Sequence, residues 1–219
     1  QEFIERGVLI EEESPRLYVY RQTTENHSCI GVIGGASINE YMNDKIKKHE
    51  STLTSREAMF TRYLEIVGYN AEPVLISYKG NNTLNESLRK LTEERPEYEF
   101  STTDQIKHEL WILSEEHSKD LKEQFKTIPC SYIADGHHRS ASSARLHQKN
   151  ENTFPNSNYF LSYFVEEKQL QILEFNRLVK TLNGLTKDEF IQKISLIGKL
   201  EKLTKISKPS HEHHIHFFV

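Results

Sequence analysis

Cysteine is scarce in this chain of 219 residues, which contains only Cys29 and Cys130. Each cysteine lies in a separate apolar run typical of a strand, and neither belongs to a paired-cysteine motif. A disulfide scaffold and a cysteine-based zinc site are therefore not predicted. This use of cysteine favours a reducing, cytoplasmic setting.

Long apolar runs and a charge excess are missing as well. No stretch approaches the roughly 20 apolar residues that cross a bilayer, and the opening Gln-Glu-Phe-Ile-Glu-Arg lacks the basic and apolar regions of a signal peptide. The 28 basic and 32 acidic side chains give a formal net charge of −4. We therefore expect a soluble protein whose partners are neither nucleic acid nor membrane.

The chain does contain enough apolar side chains for a packed core, because hydrophobic residues make up 36% of it, with 11 Phe and 10 Tyr. We expect a single α+β domain over residues 1–219, and a fragment of a longer chain, since the sequence stops within an aromatic run. Its expected parts are an N-terminal hairpin region at 1–42, a motif-bearing core at 43–165 and a C-terminal hairpin and helix at 166–219.

The spacing of apolar residues predicts alternating strands and helices. Strands are predicted at 16–22, 29–38, 73–78, 98–103, 108–113, 130–134, 159–165 and 169–175, the first two and the last two forming hairpins. Helices are predicted at 55–68, 82–94, 114–125, 140–148 and from 186 onward. In the 55–68 helix, Met59, Tyr63 and Ile66 share one face. The glycines fit neither a dinucleotide-binding fingerprint nor a P-loop.

The segment Asp135-Gly136-His137-His138-Arg139 joins a predicted strand to a predicted helix. Because the free amides of a helix point back into the turn before it, this geometry suits an anion such as a nucleotide phosphate. Arg139 adds a forked cation, the two histidines add hydrogen-bond donors, and Ser140 follows directly. Asp135 fits a phosphate site if a Mg²⁺ ion lies between them or if it orients a histidine. The alternative is an ordinary N-capped helix with exposed histidines.

The pair His49-Glu50 precedes the helix at 55–68. As a functional pair, Glu50 is a general base that removes a proton from a substrate hydroxyl, and His49 positions it or contacts phosphate. The alternative is an acidic residue that simply favours the helix dipole.

Further polar residues are weaker candidates for substrate binding. The residues considered are Thr52, Arg21, Arg62 and Arg177. The alternative for Arg21 and Arg177 is a structural ion pair, and the alternative for Arg62 is the solvated face of a helix. The cluster His211, His213, His214 and His216 invites a metal hypothesis, yet on a strand its members split between two faces. A solvated strand edge explains that cluster better.

Several segments together resemble a large prokaryotic family of unknown function. They are Tyr18 to Gln22, Lys48-His49-Glu50-Ser51-Thr52, Leu110-Trp111, Ala134-Asp135-Gly136-His137-His138-Arg139 and Asn176-Arg177. The family belongs to the ParB and sulfiredoxin-like superfamily, whose relatives include free-serine kinases that phosphorylate L-serine with ADP or ATP. The resemblance implies that the pair His49-Glu50 is catalytic, with Glu50 as the catalytic glutamate, and that the turn from Asp135 to Arg139 holds the nucleotide phosphates.

The chain also departs from those relatives. The segment between the two motifs is longer than in the compact archaeal kinases, with Asn81 to Asp120 as the added part, so substrate contacts are not carried over. Sulfiredoxin chemistry needs a reactive cysteine beside the turn, and Asp135 to Arg145 contains none. A basic helix-turn-helix, as in DNA-partitioning relatives, is missing too.

From these features we expect an α+β fold with a mixed sheet, flanking helices and a ParB/sulfiredoxin-like core that carries β-hairpins at both ends. The expected function is phosphoryl transfer from ATP or ADP, with Mg²⁺, to the hydroxyl of a small metabolite, with L-serine as the first choice. The alternatives are a non-enzymatic nucleotide-sensing regulator and a metal-dependent hydrolase with Asp135, His137 and His138 as ligands. The sequence leaves the oligomeric state open.

Overall fold

The computed structural model describes residues 2–8, 10, 12–149, 156–173, 176–205, 207, 209, 211 and 213–218. The chain divides into two compact units, Gln1–Gln171 and Ile172–Val219. The helices of the first unit are α1 (Glu2–Glu5), α2 (Ile38–Met42), α3 (Thr54–Val67), α4 (Asn82–Leu91), α5 (Glu115–Lys126) and α6 (His137–Lys149). Its strands are β1 (Tyr18–Thr23), β2 (Ser28–Ser37), β3 (Ile46–Lys47), β4 (Val74–Tyr78), β5 (Tyr98–Ser101), β6 (Lys107–Ile112), β7 (Ser131–Asp135) and β8 (Tyr159–Glu166).

All eight of these strands form one open sheet in the order β3-β7-β4-β8-β2-β1-β6-β5. The pairs β3–β7 and β4–β8 are parallel, and the other neighbours are antiparallel. The predicted α+β class with a mixed sheet and flanking helices is therefore confirmed.

The predicted N-terminal hairpin is present as β1 and β2, which pair from Tyr18 opposite Ile33 to Thr23 opposite Ser28. Gly31 in β2 allows close packing against β8, because a Cβ atom there would lie 2.2 Å from the Phe164 carbonyl oxygen. Close approach of the β8 backbone therefore accounts for glycine at this position of the strand.

The predicted C-terminal hairpin is wrong. β8 ends at Glu166, a 3-10 helix covers Glu167–Gln169, and 170–173 form no strand. Residues 174 and 175 of the predicted strand lie outside the described part of the chain. β8 already pairs with β2 on one side and β4 on the other, so it has no free edge for a hairpin partner.

The core lies on one face of the sheet. Residues that pair directly across neighbouring strands point to the same face, and such a row runs through Val19, Val32, Phe164, Ile76 and Ile133. All except the half-buried Phe164 are almost fully buried. α4 and α5 cover one end of this row, and α2 and α6 cover the other.

The helix α3 lies within one residue of the predicted bounds at each end, and Gly68 caps its C-terminus in the left-handed conformation, with φ of 76°. The face that it buries is not the one formed by Met59, Tyr63 and Ile66, which are all exposed. Thr61 and Leu64 are buried instead. α3 therefore packs through a partly polar face.

The second unit contains one regular helix within its described residues, α7 (Lys187–Ser195). Thr186 caps it with a reciprocal hydrogen-bond pair involving Glu189, as expected for a helix that starts at this threonine. Throughout the described residues of both units, helices that are long and apolar enough to cross a membrane are absent.

Candidate functional site

The strand, turn and helix predicted around Asp135 are present. β7 ends at Asp135, Gly136 takes the left-handed region with φ of 98°, and α6 begins at His137. The helix starts three residues earlier than predicted, so His137, His138 and Arg139 form its first turn. Their amide groups have no acceptor within the helix, and the helix dipole adds positive charge at this end.

Parallel pairing of β3 and β7 explains how the second motif reaches this turn. Lys47 at the end of β3 lies beside Tyr132 of β7. Glu50 follows Lys47 by three residues, and Asp135 follows Tyr132 by three residues, so the two parallel chains place Glu50 beside Asp135. Both residues lie at the carboxyl end of their strands, which is the edge where ligands bind in α/β sheets.

The structure brings Glu50 and His49 directly to the first turn of α6. The Glu50 Oε2 atom lies 3.6 Å from His137 Nδ1. The ring of His49 meets the ring of His137 edge to face, with 4.5 Å between their centroids. Glu50 is 61% exposed, whereas the His137 side chain is only 6% exposed. An open carboxylate is therefore held against a buried imidazole.

His137 is kept neutral by its surroundings. Burial lowers the pKa of its imidazole, and the neighbouring His49 lowers it further, while Glu50 acts in the opposite direction. The His137 Nε2 atom and the His138 Nδ1 atom are buried without a hydrogen-bond partner among the described residues. A neutral imidazole has one N–H, which can donate from Nδ1 toward Glu50.

The lowered pKa of His137 predicts a specific loss of stability in acid. The unfolded chain, with a histidine pKa of about 6.5, binds this proton more readily than the folded chain, so the free energy of unfolding decreases as pH falls below that value. We expect the free energy of unfolding to decrease less between pH 7.5 and pH 5 in His137→Gln than in the wild type.

Urea denaturation at several pH values measures this free energy. His117→Gln, at an exposed position on α5, is the control, and equal slopes for all three proteins would contradict the expectation.

Arg139 lies folded back over the turn. Its guanidinium donates to Asp135 Oδ2 at 2.5 Å and to the Pro73 carbonyl oxygen, and it lies 3.5 Å from Glu72 Oε2. A Cβ atom on Gly136 would approach this guanidinium to 3.2 Å. Asp135 therefore orients Arg139, and not a histidine as one of the expectations had it.

Ser140 has a structural role. Its side chain is fully buried, its hydroxyl donates to the His137 carbonyl oxygen at 3.0 Å, and its amide donates to the Gly136 carbonyl oxygen. Neither donor faces the turn. Both donors therefore have acceptors within the protein, and the expected contact of Ser140 with phosphate stays a prediction.

Lys48 lies near the site and directly precedes the pair His49-Glu50, but the sequence predicted no role for it. Its ammonium lies 4.3 Å from the centroid of the Tyr41 ring and 3.5 Å from the Tyr41 carbonyl oxygen. Tyr41 in turn hydrogen-bonds Ser140 of α6, and burial raises its pKa. These contacts place a cation beside the first turn of α6. Its position next to His49 was the only signal in the sequence.

Two of the weaker candidates lie close to the motif but have protein partners. The Thr52 hydroxyl donates to the Glu57 carboxylate in the first turn of α3. Arg62 points outward from the same helix, 3.4 Å from Glu65 and 72% exposed. Thr52 thus stabilises the start of α3.

Of the other two arginines, Arg21 is not brought to the turn. Arg21 lies on β1, four strands from β7, a separation of about 19 Å at the usual strand spacing. It makes a two-pronged ion pair with Glu109 at 2.6 and 2.8 Å, which lowers the pKa of that carboxyl. Arg177 belongs to the second unit.

The structure offers no protein-only metal site in the part of the chain that it describes. No group of three or more His, Cys, Asp and Glu side chains there could hold a metal ion. This finding covers Asp135, His137 and His138, the ligands required by the hydrolase hypothesis, and the four histidines from 211 to 216. Those four lie outside any strand, with the rings of His211 and His214 in edge contact at 5.2 Å.

A cavity of about 180 Å³ lies beside Arg139, between α3 and the start of β4. Its apolar wall comes from Phe60, Tyr63, Leu64 and Ala71. Its polar wall comes from Asn70, Glu72, Arg139 and Ser142. One arginine therefore borders both this cavity and the turn.

Comparison with protein families matches residues 1–219, the whole chain, to one family of unknown function. Comparisons with curated proteins and with solved structures find no match in either set. The match confirms the expectation of a family of unknown function. The chain belongs to the family described as "Protein of unknown function (DUF1015)".

Proposed function

We propose that this protein is a nucleotide-dependent phosphotransferase with a ParB/sulfiredoxin-like core. It uses ATP or ADP, with Mg²⁺, to phosphorylate the hydroxyl group of a small metabolite. The observation that carries the proposal is the position of the Glu50 carboxylate against the first turn of α6, 3.6 Å from His137. Phosphoryl transfer needs a base and a phosphate site that share one reacting centre.

The phosphate site in this proposal is the turn at Gly136 with the amides of the first turn of α6. Gly136 allows the backbone to turn sharply while leaving room for a phosphate close to the amides. Arg139 supplies positive charge from the side of Asp135, and Lys48 supplies it from the side of Tyr41. Cations on both sides stabilise the negative charge of the transferring phosphoryl group.

Glu50 acts on the acceptor in this proposal. Its carboxylate takes the proton of the substrate hydroxyl, the hydroxyl oxygen forms a bond to the terminal phosphorus, and the bond from phosphorus to the bridging oxygen breaks. The nucleotide leaves with one phosphate fewer. His137 and His49 hold the carboxylate in place, and His137 is a positioning residue because its imidazole is buried.

Mg²⁺ fits the carboxylates at this edge of the sheet. Asp135 uses Oδ2 for Arg139, so its Oδ1 atom can hold the ion together with phosphate oxygens. Mg²⁺ in nucleotide sites is commonly bound by one or two carboxylates plus substrate phosphates. The ion neutralises phosphate charge when it is bound.

L-Serine as the acceptor rests on the resemblance to free-serine kinases. The test incubates the protein with Mg²⁺, L-serine and either ATP or ADP, and mass spectrometry detects O-phosphoserine. Product supports the serine kinase. Nucleotide binding without product from serine or from a panel of hydroxyl metabolites would favour the nucleotide-sensing regulator.

Removing the Arg139 guanidinium is expected to weaken nucleotide binding. We expect Arg139→Ala to weaken ADP and ATP by about 1.5–3 kcal/mol, the range for a lost charge-assisted hydrogen bond. Calorimetry measures the affinity, and Arg62→Ala, an exposed arginine on α3, is the matched control. Unchanged affinity in a folded Arg139→Ala protein would remove Arg139 from the phosphate site.

Asp135→Asn separates two roles of the same carboxylate. If Asp135 holds Mg²⁺, the variant loses the gain in nucleotide affinity that Mg²⁺ gives to the wild type. We expect that loss. The opposite result is a variant that binds nucleotide more tightly than the wild type in the absence of Mg²⁺ and still gains affinity when Mg²⁺ is added. That result would show that Asp135 only neutralises Arg139.

A further inference from the structure

The cavity beside Arg139 is too small for a whole nucleotide. Its volume of about 180 Å³ lies below the roughly 300–1,000 Å³ of pockets that enclose drug-sized ligands. A flat ring system fits such a space. Tyr63, one of the residues that line the cavity, is 45% exposed, so the cavity can be entered from solvent.

The cavity and Glu50 lie on different sides of α6. His137 and Arg139 are two residues apart on the helix, so their side chains leave it in directions about 200° apart. His137 points to Glu50, whereas Arg139 points to Pro73 and borders the cavity. A phosphate at the N-terminus of α6 would therefore have Glu50, where the acceptor binds, on one side and the cavity on the other side.

The chemistry of the walls suits a base joined to a ribose. Phe60 and Tyr63 offer aromatic surface for stacking on a ring. Asn70 offers both a donor and an acceptor, and Ser143 fixes it by donating to its Oδ1 atom at 3.4 Å. Glu72 is 76% exposed beside Arg139 and can accept hydrogen bonds from ribose hydroxyls.

We infer that this cavity binds the base of the nucleotide, with Tyr63 and Phe60 stacking on it and Arg139 standing between base and phosphates. The inference rests on the proposed function, because it assumes that a nucleotide phosphate occupies the turn. In-line transfer then has the leaving nucleotide on the cavity side and the attacking hydroxyl at Glu50.

The experiment compares ADP with inorganic pyrophosphate, which has the phosphates but no base. Calorimetry with Mg²⁺ is performed on the wild type, Tyr63→Ala and Tyr63→Phe. We expect Tyr63→Ala to weaken the binding of ADP by about 5- to 150-fold, the range for a lost stacking contact, and to leave the binding of pyrophosphate unchanged. Tyr63→Phe should keep the affinity for ADP because it keeps the ring.

Met59→Ala is the matched control, since Met59 is an exposed residue of the same helix and does not line the cavity. It should bind ADP and pyrophosphate like the wild type. Unchanged ADP affinity in Tyr63→Ala, or an equal loss for both ligands, would overturn the inference and leave the turn as a phosphate site. A wild type that binds neither ligand would overturn the proposed function as well.

Discussion

Replacing Glu50 by glutamine is expected to reduce turnover by about 10²- to 10⁴-fold, the usual contribution of a positioned general base. The affinity for ADP and ATP should stay nearly unchanged, because the base contacts the acceptor and not the nucleotide. Glutamine has the size of glutamate and keeps one oxygen near His137, so the site keeps its shape. The change therefore removes proton transfer with little else.

Two measurements separate the catalytic step from binding. Product formation is followed by mass spectrometry under saturating nucleotide, and calorimetry gives the nucleotide affinity. Glu40→Gln is the control, because Glu40 is a partly exposed carboxylate whose ion-pair partner is Lys45, at 2.6 Å, and not a residue of the His49-Glu50 pair or of the turn at Asp135 to Arg139. Equal turnover in wild type and Glu50→Gln would keep the kinase and refute the role of Glu50.

The sequence predicted the local parts of the site well because each part is encoded by neighbours. A short apolar strand, a glycine and a run without helix breakers specify the β7, Gly136 and α6 unit. Ser114, the first residue of the helix predicted at 114–125, caps α5 because its side chain accepts a hydrogen bond from the amide of His117. Such features need only a few residues in a row.

The proximity of Glu50 to His137 could not be derived in this way. It depends on the parallel pairing of β3 with β7, a contact between distant segments, and β3 has only two residues. No apolar alternation is visible over two residues. The resemblance to a family supplied this part of the hypothesis, and the sheet topology gives its physical basis.

The α3 face shows a second limit of sequence patterns. Periodicity identifies which residues share a face, but not which face meets the protein. Here Thr61 can be buried because its single hydroxyl hydrogen has acceptors, the carbonyl oxygen of Glu57 at 2.8 Å and, more distant, that of Ser142 at 3.3 Å. A buried threonine whose hydroxyl donates a hydrogen bond costs little, so α3 can pack on α6 through this polar contact.

The pattern at 169–175 failed for a different reason. Alternation there was typical of a strand, yet Gln169 serves the β1–β2 hairpin instead. Its side-chain oxygen accepts from the Ile30 amide at 2.8 Å, and its carbonyl oxygen lies 2.8 Å from the ring Nε2 atom of His27. Whether a segment pairs depends on a free sheet edge, and that is a property of the whole topology.

Substituting alanine for Gly136 is expected to impair both stability and nucleotide binding. The φ of 98° is strained for any residue with a Cβ atom, which costs about 1–3 kcal/mol. The new Cβ atom would also approach the Arg139 guanidinium to 3.2 Å, a contact that the guanidinium relieves only by shifting a few tenths of an ångström from its position over the turn. We therefore expect a lower melting temperature and at least about a tenfold loss of ADP affinity, equivalent to one charge-assisted bond.

Gly68→Ala is a matched control for backbone strain, because Gly68 has φ of 76° at the end of α3 and a Cβ atom there meets nothing within 4 Å. It should lose stability to a similar degree while binding ADP like the wild type. Differential scanning calorimetry gives the melting temperatures, and titration with ADP at a temperature below the melting temperature of the weaker variant gives the affinities. If Gly136→Ala loses stability but binds ADP as well as Gly68→Ala does, the geometry of this turn does not hold the nucleotide phosphates. A loss of affinity confined to Gly136→Ala would instead tie nucleotide binding to the placement of Arg139 over the turn, because backbone strain is common to both variants.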